Sequence, residues 1–321
     1  MRLLFIYSFL RGQGNSAHWF NIALNAAFKK SNWDYYTFEY ADKMRNSSKE
    51  DVNAELIAYV KSISPEVVFL QYIDAGDVFV STIKEISRYS KVLIWSGDMY
   101  QSKLMNWVFD YAPYVTSLFS NMDYINELRE KGYKAEFMNH YAQDMYYPYQ
   151  TEKIYPIAFI GSNYDRYALS GERHEAIKFL SDTHKDKFNL WGNSWGDIPN
   201  HGFLDRARNN EILNKSIIAI NYSNLSSPRY TSDRLQHILG SGCFCLCRHF
   251  PDAEIDLGKD GELVRFFYTA GEAKELIDYY LIHEKEREDI ALRGCNAVKD
   301  IYGDNNLLRT IEKMYSGAVE K

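Results

Sequence analysis

The residues with the clearest chemical potential lie in segment 226–250, which reads SSPRYTSDRLQHILGSGCFCLCRHF. Thr231 and Asp233 stand where a helix is predicted to begin, and either side chain can accept a hydrogen bond from a free backbone N–H group. Arg229 and Arg234 flank this helix start. Guanidinium groups and a helix N-terminus both attract anions, so the segment is suited to hold a diphosphate. An ordinary α/β unit with a glycine turn explains the same pattern equally well.

A second set follows residues 154–160, an apolar stretch typical of a buried strand. Gly161 and Ser162 would let the backbone approach a phosphate closely, because glycine carries no side chain. Arg166 follows in the same loop, and we group it with the two arginines above. A planar guanidinium bonds two phosphate oxygens at once, so these residues predict diphosphate binding without a metal. The alternative is that the arginines form surface ion pairs.

Trp191, Gly192 and Asn193 end the next predicted strand of the second half. An aromatic ring and a small-residue loop at that point are candidates to flank a nucleobase. Trp195, in the same loop, is equally compatible with a core position.

Two candidates lie in the first half, each after a predicted strand. Gly12 follows the strand predicted over 3–9 and is expected to line a ligand cleft, although a tight turn is the alternative; its glycine spacing does not match the dinucleotide fingerprint. Asp98 follows Gly97. A carboxylate there could accept a proton from a hydroxyl group as a general base, or cap the next helix. Asp98, Arg166 and Arg234 are therefore the predicted catalytic residues.

The acidic residues and cysteines show no metal-binding spacing, so we predict no metal and no cofactor. Three of the four cysteines alternate in one predicted strand, and we interpret them as buried, reduced thiols of a cytoplasmic protein. The apolar N-terminal run is too short to span a bilayer and is better explained as a first strand, and no membrane-spanning segment is predicted elsewhere.

Strands and helices alternate along the whole chain, which predicts doubly wound parallel sheets. A polar and aromatic connection ends at Pro148, and a fresh alternating pattern follows it. We therefore predict two Rossmann-like domains, 1–149 and 150–304. Residues 305–321 are expected to form a C-terminal helix that packs back on the first domain.

The bulk composition fits two globular domains. The chain has 321 residues, 46% of them hydrophobic, with a net charge of −6 and a pI near 5.8. Proteins that hold nucleic acid through its phosphates usually present a basic face, so the acidic pI disfavours a nucleic-acid partner without excluding one. The oligomeric state is not predicted.

Several second-half segments together resemble the CgeB-type (spore-maturation-protein-like) glycosyltransferases. They occur in the family's order, and the connecting segment before them also resembles the family: NHYAQDMYYP at 139–148, IAFIGSNYDR at 157–166, FNLWGNSW at 188–195, PRYTSDRLQHILGSGCFCL at 228–246 and IHEKEREDIALRG at 282–294. The resemblance covers most of the second half and is thin in the first.

The resemblance implies a GT-B fold, in which two Rossmann-like domains face each other across a cleft. It implies an enzyme that moves a sugar from a nucleotide-diphosphate donor, of UDP type, to a hydroxyl acceptor, without a metal and with retention of configuration. The first domain would then be the acceptor side and the second the nucleotide-sugar side. A DNA-base glycosyltransferase of phage type is the alternative enzyme.

One position departs from the family's pattern. Where the family often has a glutamate expected to hold the nucleotide ribose, this chain has His237. Histidine can form a hydrogen bond with a hydroxyl group, but it is not a fixed anion. Asp233 is therefore the candidate to take the role of the family's glutamate. We include His237 among the predicted nucleotide-binding residues. The departure also leaves a non-catalytic nucleotide-sugar-binding protein as an alternative.

Overall fold

The computed structural model describes residues 1–7, 19–71, 77–97, 104–141 and 144–317. Within them the chain divides into two compact units. The first takes in the described residues up to 139 together with 307–317, and the second takes in 140–306. Two of the predicted site residues, Gly12 and Asp98, lie outside the described residues.

The first unit is built on a six-stranded, all-parallel sheet in the order β2-β1-β3-β4-β5-β6. The strands are β1 Arg2–Tyr7, β2 Asp34–Glu39, β3 Val67–Gln71, β4 Lys91–Ser96, β5 Thr116–Phe119 and β6 Ala135–Phe137. The helices are α1 Trp19–Lys30, α2 Tyr40–Lys43, α3 Lys49–Ile63, α4 Val80–Ile86, α5 Asn106–Tyr111 and α6 Met122–Glu130. Both faces of the central strands are buried, as the continuous apolar runs of β1 and β3 predict.

The second unit carries a five-stranded parallel sheet in the order β11-β10-β9-β7-β8. Its strands are β7 Tyr155–Ile160, β8 Phe188–Trp191, β9 Ser216–Asn221, β10 Phe244–Arg248 and β11 Arg265–Phe267. Its helices are α7 Ser170–His184, α8 Arg206–Asn214, α9 Arg234–Gly240, α10 Ala253–Leu257, α11 Ala270–Ile282 and α12 Glu284–Tyr302. The last helix, α13, spans Asp304–Ser316.

Helices cover both faces of this second sheet. Alternation along β9 sends Ile218 and Ile220 into the core under α7 and α11, and Ala219 into the core under α8 and α9. Cys243, Cys245 and Cys247 all share the Ala219 side. Two parallel, doubly wound sheets therefore confirm the predicted fold class.

The connection between the sheets belongs to the second unit. We predicted a boundary at Tyr149, but His140, Tyr141 and residues 144–149 group with the second unit. The backbone N–H groups of Tyr147 and Tyr149 donate to Asn210 and Asn214 of α8, at 3.1 and 2.8 Å. These hydrogen bonds move the start of the second unit back to His140.

From Leu307 onwards, α13 belongs to the first unit. Trp33 Nε1 donates to Glu312 at 3.0 Å, and Tyr315 hydrogen bonds to Glu66 next to β3. The first unit is therefore assembled from two stretches of chain that are far apart in sequence.

Two helical glycines offer a test of packing in the second unit. A Cβ atom at Gly294 of α12 would lie 2.6 Å from the carbonyl oxygen of Leu263 and 2.8 Å from Leu239, whereas at Gly271 of α11 the nearest atom is 3.8 Å away. We expect Gly294→Ala to lower the free energy of unfolding by about 1–3 kcal/mol, because it forces helix and loop apart. Gly271→Ala should raise the free energy of unfolding by about 0.4–1 kcal/mol, because alanine reduces the conformational entropy of the unfolded chain. Urea unfolding measures both, and equal effects would contradict the packing.

Candidate functional site

The candidate site lies where β7, β8 and β9 end. All three strands are parallel, so their carboxyl ends meet at one edge of the second sheet, where doubly wound sheets bind ligands. Predicted site residues follow two of these strands directly: Gly161 and Ser162 after β7, and Gly192 and Asn193 after β8.

Two glycines allow the loops after β7 and β8 to touch. A Cβ atom on Gly192 would lie 2.3 Å from the carbonyl oxygen of Gly161, and the Gly192 φ of +138° also favours glycine. Gly161 N–H donates to Trp191 at 2.8 Å, and Asn193 N–H donates to the Ser162 hydroxyl at 3.0 Å. The structure thus brings together four of the predicted residues, Gly161, Ser162, Gly192 and Asn193, beside the backbone of Trp191.

Arg234 lies directly against this pair of loops. A Cβ atom on Gly161 would come within 2.4 Å of its guanidinium. The guanidinium donates to the carbonyl oxygens of Ile160 at 2.6 Å and Tyr222 at 3.0 Å, and its carbon lies 4.8 Å from the Phe159 ring centre. Burial lowers the pKa of Arg234, partly offset by the charge of Asp233. The side chain is therefore fixed at the end of β7.

Arg173 is a site residue that the sequence analysis missed. It lies in the first turn of α7 with an exposed fraction of 0%, and it donates to the Ser162 carbonyl. Its guanidinium carbon lies 5.2 Å from the ring centres of both Phe159 and Trp195. Among the described residues, none accepts a hydrogen bond from its Nε or Nη1. The sequence shows only a polar residue near a helix start, which gives no sign of this burial.

Arg173, which is buried, and Arg234, which is half-buried, bring positive charge together without a neutralising carboxylate at Arg173. The pKa of Arg173 lies well below its usual value, mainly because the side chain is buried and to a smaller extent because Arg234 carries a like charge. In the described part of the chain, neither guanidinium forms an ion pair, although the charge of Asp233 acts on Arg234. A buried charge is costly unless it is paired, so this arrangement is suited to an anionic ligand.

Asp233 and His237 take part in a separate, partly buried cluster. Arg206, at the start of α8, donates to the Asp233 carboxylate and also to His237 Nε2, the latter at 2.9 Å. Tyr146 stacks on the His237 ring with centres 3.9 Å apart. Because arginine can only donate, His237 Nε2 is an acceptor and the ring proton sits on Nδ1. Arg206 was also missed, since its partners lie in another helix.

The charges in this cluster fix the protonation of both partners. Burial lowers the pKa of His237 to about 3, against the opposing effect of Asp233. Burial alone would raise the pKa of Asp233, but the surrounding positive groups, of which Arg206 acts most strongly, together outweigh it and hold that pKa below its usual range. His237 is therefore neutral and Asp233 ionised near pH 7, and the Asp233 side chain keeps 39% of its surface exposed.

The predicted helix cap is wrong. Asp233 is the residue before α9, yet its side chain makes no capping hydrogen bond, because it pairs with Arg206 instead. Thr231 is buried, and its hydroxyl accepts from Asn221 at 3.0 Å. The helix has only 7 residues. The attraction for anions at this edge therefore comes from guanidinium groups, not from the end of α9.

Three further predicted residues have partners elsewhere. Arg229 makes a bidentate pair with Asp256, at 2.7 and 3.1 Å. Arg166 is exposed and stacks on the rings of Tyr164 and Tyr167, with its guanidinium carbon 5.5 and 5.1 Å from their centres. Trp191 is buried and its ring stacks on His201, so that face of the indole is not available to stack on a nucleobase. None of the three joins Arg234 in this structure.

The cysteines are free, and Cys243, Cys245 and Cys247 are buried. Within the residues described, no three His, Cys, Asp or Glu side chains lie close enough to hold a metal ion. Over the same residues, no helix has the length and apolar character needed to cross a membrane.

Comparison with known proteins identifies the kind of domain that carries this site. The family model described as "Glycosyl transferase-like" matches residues 173–312, which include Arg173, Arg206 and Arg234. No curated protein sequence matches the chain.

Several solved structures have the same fold at low sequence identity. HepE of Anabaena, solved with UDP and glucose, has a TM-score of 0.67 at 9% identity, covering 99% of this chain and 100% of that one. Sucrose-phosphate synthase of Thermosynechococcus elongatus gives 0.64 at 8%, covering 98% of both chains. TarM of S. aureus gives 0.59 at 7%, covering 82% of this chain and 59% of TarM.

The fold and the matched domain define the class of protein. The chain has the GT-B fold, and its second half carries a glycosyltransferase domain, which confirms the predicted enzyme class. At these identities the solved structures bear on the fold alone.

The neutral state of His237 makes stability depend on pH. An unfolded histidine titrates near pH 6.5, whereas folded His237 titrates near 3, so between these values the unfolded chain binds a proton that the folded chain does not. Stability should therefore fall as pH drops below about 6.5, by up to about 1.4 kcal/mol per pH unit from this group. His237→Gln should reduce the pH dependence of the melting temperature. The exposed His283→Gln is the control, and identical slopes in both variants would contradict the assignment.

Proposed function

We propose that this protein is a glycosyltransferase that moves a sugar from a nucleotide-diphosphate donor, of UDP type, to a hydroxyl acceptor. The second unit binds the donor, and the first unit is the acceptor side. The reaction uses no metal and retains the configuration at the sugar. The CgeB-type assignment belongs to the same proposal, as does a cytoplasmic location, for which the free, buried thiols argue.

The observation that carries the proposal is the pair of arginines at the end of β7, of which Arg173 is buried and Arg234 half-buried. Arg173 has two nitrogens without a described acceptor, and Arg234 presses against Gly161 with its guanidinium held in place. A diphosphate would supply the anionic oxygens that this pair lacks. It would also gain negative charge as it leaves, which fixed guanidinium groups stabilise without a metal.

The chemistry then needs few protein groups. The bond between the anomeric carbon and the β-phosphate oxygen breaks, and the diphosphate departs with the electron pair. The acceptor oxygen forms the new bond to the anomeric carbon and loses its proton to a base, for which Asp98 is our candidate. Arg173 and Arg234 stabilise the departing diphosphate, and Arg166 joins them only if its loop turns inward.

Asp233 supports the assignment of a nucleotide. Its carboxylate stays ionised beside Arg206, keeps part of its surface exposed, and lies next to Arg234 in the chain. A fixed anion of this kind is suited to accept hydrogen bonds from the two ribose hydroxyls. His237, which is buried behind it, would orient the cluster without touching the ribose.

The choice of UDP rests on the solved structures. HepE was solved with UDP and with UDP-glucose, and TarM with UDP. We carry that nucleotide to this chain as the first donor to test, beside GDP and dTDP.

Removing one buried charge tests the diphosphate site. We expect Arg173→Met to weaken UDP binding at least about tenfold, since a hydrogen bond to a charged group contributes about 1.5–3 kcal/mol. The variant should keep or raise its melting temperature, because an unpaired buried charge destabilises the unliganded protein. Arg208→Gln, at an exposed arginine of α8, is the matched control.

Isothermal titration calorimetry with UDP, GDP and dTDP measures the binding, beside thermal melting of each variant. Binding of no nucleotide by the folded wild-type chain would overturn the proposed function. A lower melting temperature of Arg173→Met with unchanged UDP affinity would make Arg173 a structural residue.

A further inference from the structure

Glu172, which precedes Arg173 in the first turn of α7, has no role in the function proposed so far. One of its oxygens, Oε1, accepts hydrogen bonds from the Tyr222 hydroxyl and from Arg248, the latter at 3.3 Å. Tyr222 follows β9 and Arg248 ends β10, so the carboxylate is held over the carboxyl edge of the sheet. Two donors on one oxygen fix its orientation.

The second oxygen of Glu172 is available. Among the described residues none donates a hydrogen bond to Oε2, and the side chain keeps 50% of its surface exposed. A carboxylate has acceptor positions on both oxygens. Glu172 therefore presents one oriented acceptor oxygen to whatever ligand occupies this edge.

The supporting side chains also connect Glu172 to the two arginines. The backbone carbonyl of Tyr222 accepts from Arg234 at 3.0 Å, while its hydroxyl donates to Glu172. Burial, followed by the hydrogen bond to Glu172, raises the pKa of Tyr222 to about 12, so the hydroxyl stays protonated and keeps donating. Tyr222 thus fixes the distance between the proposed diphosphate site and the free carboxylate oxygen.

We propose that Glu172 binds hydroxyl groups of the transferred sugar and restricts the donor to neutral sugars. The inference rests on the proposed function, because it takes the diphosphate to lie at Arg173 and Arg234. Sugar hydroxyls are donors that a carboxylate accepts well, and the sugar is joined directly to the β-phosphate. A uronic acid would bring a second carboxylate toward Glu172, and like charges at close range repel.

An ordinary structural role makes a different prediction. A glutamate in the first turn of a helix also offsets the helix dipole and can pair with Arg248 for stability alone. In that case its removal would lower stability and leave the affinity for the sugar moiety unchanged. The difference in affinity between UDP and UDP-glucose separates these roles, because only the sugar differs.

The experiment measures the dissociation constants of UDP, UDP-glucose and UDP-glucuronic acid for the full chain and for Glu172→Gln. We expect Glu172→Gln to weaken UDP-glucose about tenfold or more while UDP changes by less than about twofold, since a bond to a charged acceptor is worth about 1.5–3 kcal/mol. UDP-glucuronic acid should bind the wild type more weakly than UDP-glucose and should bind Glu172→Gln more tightly than the wild type. If GDP is the nucleotide that binds, GDP and GDP-mannose replace the first pair.

Glu175→Gln is the matched control, since Glu175 is exposed on the next turn of the same helix. It should leave all three affinities unchanged. Tyr222→Phe tests the support of the carboxylate, and we expect it to weaken UDP-glucose more than UDP. Melting temperatures check that each variant is folded.

Two results would overturn the inference in distinguishable ways. If Glu172→Gln changes UDP and UDP-glucose by the same factor, Glu172 acts on the nucleotide or on the fold and does not bind the sugar. If the wild-type chain binds no nucleotide at all, the proposed function fails and this inference fails with it.

Discussion

The site depends on the close contact between two backbone loops. Gly192 and Gly161 meet where any larger residue would collide, and that contact places Ser162 between the strand ends. Arg234 occupies the space against Gly161, and Arg173 reaches the Ser162 carbonyl from the other side. Two guanidinium groups thus converge on one short stretch of backbone, and the missing side chain of Gly161 leaves the space for one of them.

Burial gives these arginines their chemical character. An exposed guanidinium is hydrated by water and screened by salt, so its pairing with an anion contributes little. Arg173 lies among aromatic rings, with part of its hydrogen-bonding capacity unused within the described residues. Arg229 and Arg166 show the contrast, since one is already paired with Asp256 and the other lies on exposed tyrosines. The number of arginines in a sequence is therefore a poor guide to the number that can bind a ligand.

The sequence predicted the fold well because the fold follows from local patterns. Continuous apolar runs marked the buried strands, and glycines marked the loops of the site, since a close backbone approach allows few other residues. The short helices α2, α5 and α10 were not predicted, because 4 to 6 residues do not establish a helical period. The grouping of Gly161, Ser162, Gly192 and Asn193 was visible in the same way, as residues that follow parallel strands.

The parts that could not be predicted depend on contacts between distant residues. Asp233 was predicted to cap a helix, but its carboxylate pairs with Arg206, which lies on another helix. Arg229 was predicted to bind the ligand, but it pairs with Asp256, which lies well downstream in the sequence. Ala176, Ile177 and Leu180 mark the buried side of α7, but their spacing does not show whether an arginine on that side is itself buried, so Arg173 could not be distinguished from an exposed arginine. Local spacing therefore identified the loops, and tertiary packing decided which charges they present.

The return of α13 to the first unit has a consequence for how the chain folds. Leu307 and the residues after it complete a unit whose other parts end at Asn139, whereas the second unit is continuous from His140 to Asn306. During synthesis the second unit can therefore close on itself while the first still lacks a helix. Joining Trp33 to Glu312 then closes a very long loop, although the entropy of closure grows only slowly with length. The second unit can thus form all of its contacts before the first unit is complete.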